Sequence, residues 1–173
     1  MAHRRLDQHP LLAPLVQPDL GLHAYGDALA ALHGAQAQLE SLIQPWLNDR
    51  DFPPRLQDLD ADLAALGRQP WPFTGQPLHG GDAAGMIGAM YVIEGAHLGG
   101  EVITLRLARS LPATAPRRFF AASGGKARWE RFWDFADPTC PADTHDTAVG
   151  AALAAFELFH LHLDNCLAHL THR

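Results

Sequence analysis

The chain has 173 residues, and its 13 Lys and Arg against 19 Asp and Glu give a formal net charge of −6 at neutral pH. A chain of this length is expected to form one domain, and the acidic balance offers no basic surface for nucleic acid. Alanine occurs 29 times and leucine 26 times, whereas valine and isoleucine together occur 8 times. Because the β-branched residues that favour strands are scarce, the composition predicts an all-helical protein.

The cellular compartment is predicted from the cysteines and from the absence of long apolar stretches. Cys140 and Cys166 are too few for a disulfide framework, and they are not spaced as a zinc site. The sequence has no run of about 18 uncharged apolar residues, and its first residues lack the apolar core and cleavage site of a secretion signal. We therefore expect a protein of the reducing cytoplasm, with no membrane partner.

Helical periodicity and chain breakers divide the sequence into segments. The expected helical segments are 20–47, 56–66, 83–111 and 144–170, and an aromatic segment at 117–135 contains a break at 123–125. Pro45 is expected to end or kink the first of these helices, and Asp82 is expected to cap the third at its N-terminus. No internal repeat or linker is present, so we expect a single domain over residues 1–173.

The third helical segment is unusual because it contains five glycines, Gly85, Gly88, Gly95, Gly99 and Gly100. Each interior glycine costs about 0.5–1 kcal/mol relative to alanine. Gly95 and Gly99 lie one turn apart on one face, and Gly100 beside them allows the backbone to bend. The pattern favours the close approach of something flat to the helix, and a helix–helix crossing on small residues is the alternative.

Four stretches in this order carry a resemblance to a known family. They are HRRLDQHPLL (3–12), YVIEGAHLGG (91–100), FFAASGGKARWERF (119–132) and AALAAF (151–156). The second resembles the distal-helix motif of the bacterial heme oxygenases, particularly those that accompany bacterial phytochromes. The other three are similar to the first helix of that family, its aromatic–glycine–Arg-Trp segment and its last helix.

The resemblance implies an all-α, heme-oxygenase-like bundle in which heme lies between a proximal helix and a glycine-kinked distal helix. His3 would be the proximal iron ligand, and Gly95, Gly99 and Gly100 would form the distal wall. Such enzymes use heme as both cofactor and substrate, and they open it to biliverdin, carbon monoxide and ferrous iron. The implied partners are an electron donor such as a ferredoxin or a reductase and, as the user of the product, a bacterial phytochrome.

Five further residues receive expectations within this resemblance. Phe156 is expected to line the pocket, and Lys126 and Arg128 are candidates for pairing with the heme propionates. His9 is a rival iron ligand near the same terminus. His97 lies on the distal helix, but we expect it to face solvent or a partner because its face differs from that of the glycines.

Two other functions stay open at this point. Some members of the family place a carboxylate directly after the first distal glycine, where this sequence has Ala96. A protein that binds heme or a bilin without turning it over, as a carrier, sensor or interaction module, is therefore the alternative function. A helical bundle with no tetrapyrrole is the third possibility, and the costly glycines argue against it.

Overall fold

A computed structural model describes residues 2–47, 52–79, 81–121 and 125–171. The helices in these ranges are α1 (Ala2–Asp7), α2 (Leu22–Ile43), α3 (Leu56–Ala65), α4 (Ala83–Ser110), α5 (Gly125–Thr139) and α6 (His145–Thr171), with three short 3₁₀ turns between them. No strand occurs in the described ranges, so the predicted all-helical class is confirmed. None of the helices described combines the length and apolar character that crossing a bilayer requires.

The helix ends follow the local sequence signals closely. α2 ends at Ile43, shortly before Pro45, which has no N–H to continue the helical hydrogen bonds. α4 begins after Asp82, whose side chain accepts a hydrogen bond from the Gly85 N–H at 2.9 Å, and this confirms the predicted N-cap. Within the aromatic segment, α5 begins only at Gly125, and the last described residues before it form a turn. Residues 123 and 124 of the predicted break lie outside the described residues.

α4 is the central helix, because it packs against α6, α5 and α2. Its closest crossing is with α6 at Gly88, where an added Cβ would lie 2.2 Å from the Ala148 carbonyl oxygen. Only a residue without a Cβ fits that position. Gly88 therefore serves a helix–helix crossing. The helix continues without interruption through residues 95–100.

The apolar core is divided along α4. One cluster joins the first half of α4 to α2, α5 and α6 around fully buried Met90 and Phe132. A second cluster joins the end of α4 to α2 and α3 around fully buried Leu29 and Leu107. The turns of α4 at 94–102 contribute no residue to either cluster. This gap in the packing is where an apolar recess beside α1 opens.

Candidate functional site

A cavity of about 460 Å³ lies between α1, α4 and α6, with α2 and the segment before α5 completing its walls. Its volume is within the range of about 300–1,000 Å³ that small-molecule sites occupy. Only four of its lining residues have polar side chains, namely His3, Asp7, Gln36 and His97. The cavity is therefore suited to a large apolar molecule that is oriented by a few polar contacts.

His3 borders this cavity from α1, together with Asp7 one turn later. The Nδ1 atom of His3 lies 2.9 Å from Oδ2 of Asp7. A carboxylate accepts hydrogen bonds, so the pairing places a proton on Nδ1 and leaves the lone pair of Nε2 available to a ligand. The ring of Phe156 contacts His3 edge-on, with ring centroids 6.1 Å apart and planes at 77°. The structure thus brings His3 and Phe156 together at the cavity.

The distal glycines do not share one environment. A Cβ added to Gly99 would meet no atom within 4 Å, and one added to Gly100 would lie 3.2 Å from the Phe120 carbonyl oxygen. Both residues line the cavity, whereas Gly95 does not and packs against Trp129. The open surface of α4 is therefore at Gly99, whereas Gly100 lines the cavity against the Phe120 carbonyl oxygen and Gly95 packs beside Trp129.

His3 and Phe156 also border a second hollow, of about 620 Å³, between α4, α5 and α6. Tyr91 and Trp133 line this hollow, and Gly99 and Gly100 do not. The two features singled out in the sequence, an imidazole on the first helix and an open glycine surface on α4, meet only in the first cavity among the described residues. We therefore take that cavity as the candidate site.

The two basic candidates for propionate binding lie elsewhere. Arg128 is buried and donates two hydrogen bonds to Glu94, one from Nε to Oε2 and one from Nη2 to Oε1 at 2.8 Å. Its guanidinium is thus occupied by a buried ion pair between α5 and α4 and does not reach the cavity. Lys126 is exposed on α5 near Glu130, with 3.6 Å between Nζ and Oε1, and it does not line the cavity either.

His97 is where the structure departs most from the expectation. Its side chain is 9% exposed and lines the cavity, so it does not face solvent. Nδ1 lies 2.7 Å from the Ile93 carbonyl oxygen. Burial, followed by the charges of Arg128 and Arg55, lowers the pKa of His97 to about 3. The ring is therefore neutral at physiological pH.

The segment before α5 supplies Phe119 and Phe120 to the cavity wall. The carboxylate of Asp62, on α3, accepts hydrogen bonds from the backbone N–H groups of Arg118 and Phe119, both at 3.0 Å. Arg55 donates to the carbonyl oxygens of the same two residues at 2.9 and 3.1 Å. Burial raises the pKa of Asp62, and the two backbone hydrogen bonds oppose that rise. These four hydrogen bonds hold the non-helical segment at residues 118–119 in place beside the cavity.

His9, the rival ligand, is buried but does not line the cavity. Its Nδ1 accepts a hydrogen bond from the Leu11 N–H, and its Nε2 lies 3.2 Å from Oδ1 of Asp164. With His160 these residues have the composition of a metal site. A metal on Nε2 would require a proton on Nδ1, where the Leu11 N–H already points. The hydrogen bonds of His9 instead attach the N-terminal segment to α6.

Sequence reasoning did not single out Asp7, Gln36 or the role of Asp62. A signal existed for Asp7, because it lies four residues after His3 and shares its helix face. Gln36 has its partner, Glu40, one turn later on the same helix, but that spacing does not indicate a cavity. No local signal existed for Asp62, whose partners lie more than fifty residues later. These residues became visible only once the helices were packed together.

The fold is that of a heme oxygenase. A solved structure described as the NO- and CO-bound heme oxygenase from Neisseria meningitidis superposes with a TM-score of 0.75, covering 96% of this chain and 92% of that one at 18% identity. No protein-family model matches the sequence. A protein named heme oxygenase from Xanthomonas campestris pv. campestris (strain 8004) is 31% identical over 166 residues, which are 91% of this chain and 97% of that protein. The chain belongs to the heme oxygenase family.

Proposed function

We propose that this protein is a heme oxygenase that opens heme to biliverdin, carbon monoxide and ferrous iron, using O₂ and electrons from a donor. Membership of the family supports this function. The observation that carries the site assignment is the cavity in which, among the described residues, the imidazole of His3 and the open surface of Gly99 meet. Heme is both the cofactor and the substrate in this proposal.

The residues of the cavity fit heme in their chemistry. Heme is a flat, largely apolar ring whose iron binds a neutral imidazole. The lining is apolar apart from four side chains, and one of these is His3 with its Nε2 lone pair available. When bound, heme supplies the iron that activates O₂ and the ring that is opened.

Each residue at the site has a definable task in this proposal. Asp7 holds the Nδ1 proton of His3, which orients the ring and makes Nε2 a stronger donor to iron. Phe156 limits rotation of that ring by its edge contact. Gly99 and Gly100 let a planar ring approach the backbone of α4, where any side chain would occupy the space. The apolar walls exclude bulk water and with it side reactions.

We also propose three finer assignments. The electron donor is a ferredoxin or a reductase, and the biliverdin serves as the chromophore of a bacterial phytochrome. The similarity of residues 91–100 to the phytochrome-associated members supports the second assignment. The protein acts in the cytoplasm, which accords with the two unpaired buried cysteines, Cys140 and Cys166.

Titration with hemin, followed by reductant in air, tests the proposed function. We expect a Soret band typical of histidine-ligated heme and then the absorbance of a bilin. Binding without conversion would favour the alternative, a heme- or bilin-binding protein without turnover, and the presence of Ala96 at the cavity makes that outcome worth measuring. The absence of any Soret shift would contradict both.

Matched variants test the ligand. His3→Ala should lose the histidine-ligated spectrum, and free imidazole should restore it. His9→Ala should keep the spectrum, because His9 lies outside the cavity. The opposite pattern, loss in His9→Ala and retention in His3→Ala, would transfer the assignment to His9.

A further inference from the structure

The N-terminal segment (residues 2–13) carries His3, but its helix is too short to fix that residue alone. α1 has six residues, none of them buried, and an isolated helix shorter than about 12–15 residues is marginal in water. Its ion pair with α6, between Arg5 and Glu157, is exposed on both sides, and such pairs contribute little to stability. The position of His3 therefore depends in part on contacts made later in the segment.

His9 is the buried polar residue of this segment, with a side chain that is 2% exposed. Its N–H donates to the Leu6 carbonyl oxygen at 3.0 Å, and its own carbonyl oxygen accepts from the N–H groups of Leu12 and Ala13, both at 2.8 Å. Its Nδ1 accepts from the Leu11 N–H at 3.2 Å. These four hydrogen bonds make the turn after α1 one unit around His9.

The tautomer of His9 follows from these contacts. An acceptor at Nδ1 requires the proton to be on Nε2, and Nε2 lies 3.2 Å from Oδ1 of Asp164 on α6. Burial lowers the pKa of His9, although Asp164 opposes that shift, so the ring is neutral at physiological pH. The Nε2–H group therefore donates to Asp164, and this buried donor has its acceptor only while the segment lies on α6.

α6 surrounds His9 with further contacts. The ring of His160 meets that of His9 edge-on, with centroids 5.9 Å apart and planes at 85°, and Nδ1 of His160 lies 3.2 Å from Oδ2 of Asp164. Leu11, two residues after His9, is buried in an apolar cluster with Leu163 of the same helix. The segment is therefore held on α6 by an apolar anchor and a hydrogen bond from a buried imidazole.

We propose that His9 and Asp164 are positioning residues for His3, because their hydrogen bond attaches the N-terminal segment to α6 and so holds the imidazole of His3 at the cavity. The inference rests on the proposed function, since it gives His3 the task of binding heme iron. α1 forms one wall of the cavity, so heme leaves more readily when the segment detaches. Neither His9 nor Asp164 lines the cavity, and both act through the segment.

The measurable consequence is a common factor in two rates. Asp164→Leu removes the acceptor of the His9 Nε2–H group, and the loss of one hydrogen bond should raise the population of the detached segment about 3- to 10-fold. In the heme-free protein, the amides of Leu12 and Ala13 should exchange with deuterium faster by that factor. Hemin should leave the complex faster by the same factor, measured by capture with excess apomyoglobin. The histidine-ligated spectrum stays, because His3 is unchanged.

Two matched variants accompany Asp164→Leu. Asp164→Asn keeps an oxygen that accepts from the His9 Nε2–H group, so both rates should return to within about twofold of the wild type. Glu157→Gln breaks the exposed ion pair with Arg5 between the same two helices, and it should change neither rate by more than about twofold. Urea unfolding of each heme-free variant shows whether the fold as a whole has lost stability.

The outcomes separate this inference from the proposed function. A wild type that does not bind hemin contradicts the proposed function, and the inference fails with it. Where the wild type binds hemin, an unchanged dissociation rate in Asp164→Leu overturns the inference alone. So does a rate in Asp164→Asn as fast as that in Asp164→Leu. Faster exchange that extends equally to the core amides of α2 and α6 also overturns it, because Asp164 would then stabilise the whole fold and not position His3.

Discussion

Neutral, buried His97 should make the protein sensitive to acid before any ligand is bound. Its pKa falls from 6.5 in the unfolded chain to about 3 in the folded protein. Below pH 6.5 the unfolded chain therefore binds a proton at His97 that the folded protein does not bind. The contribution of His97 to the free energy of unfolding is complete above pH 6.5 and is lost as the pH falls toward 3. The linkage relation gives a loss of about 2 kcal/mol between about pH 7.5 and about pH 5.

Urea unfolding of the wild type and of His97→Leu at these two pH values measures that loss. Other groups titrate in the same range, including His9 and His162, whose pKa values are also lowered by burial. Their effects are common to both proteins and cancel in the comparison. We expect the wild type to lose about 2 kcal/mol more than His97→Leu. Equal losses would contradict the lowered pKa of His97 in the folded protein.

Three further substitutions test other parts of the structure. Gly99→Leu should abolish hemin binding yet leave the melting temperature of the free protein nearly unchanged, because its Cβ enters open space; normal hemin affinity would refute the open surface. Gly88→Ala should lower the unfolding free energy by about 1–3 kcal/mol, since its Cβ would meet the Ala148 carbonyl oxygen, and an unchanged urea midpoint would disprove the tight crossing. Arg128→Met should cost about 3–5 kcal/mol by leaving Glu94 buried without its partner, and a loss below about 1 kcal/mol in the same assay would contradict the buried pair.

The helices themselves were predictable because their signals are local. Periodicity, the Asp82 cap and Pro45 act within a few residues, and the structure follows them. The segment before α5 was harder to predict, because its backbone donates hydrogen bonds to Asp62 and accepts them from Arg55, and both residues lie more than fifty positions earlier in the chain. The sequence around residue 118 contains no feature that identifies Asp62 and Arg55 as its partners.

The site was predictable in outline and not in detail for a similar reason. His3, Gly99 and Phe156 were found through the resemblance, and they do line one cavity. The expectation that His97 faces solvent or a partner rests on a helix face defined by Gly95 and Gly99, but Gly95 contacts Trp129. The face toward the cavity is broader and reaches His97 at its edge. A helical wheel gives angles along one helix, but it does not reveal which neighbour covers each angle.

The helix crossing at Gly88 affects the shape of the cavity as well as the stability of the fold. α4 and α6 touch there, and both then run on to become two of the walls around the same cavity, at Gly99 on one and Phe156 on the other. Because α4 and α6 are in contact at Gly88, a larger residue there is expected to move the two helices apart and to widen the cavity between Gly99 and Phe156. The width of the cavity therefore depends in part on Gly88, a residue that does not line it.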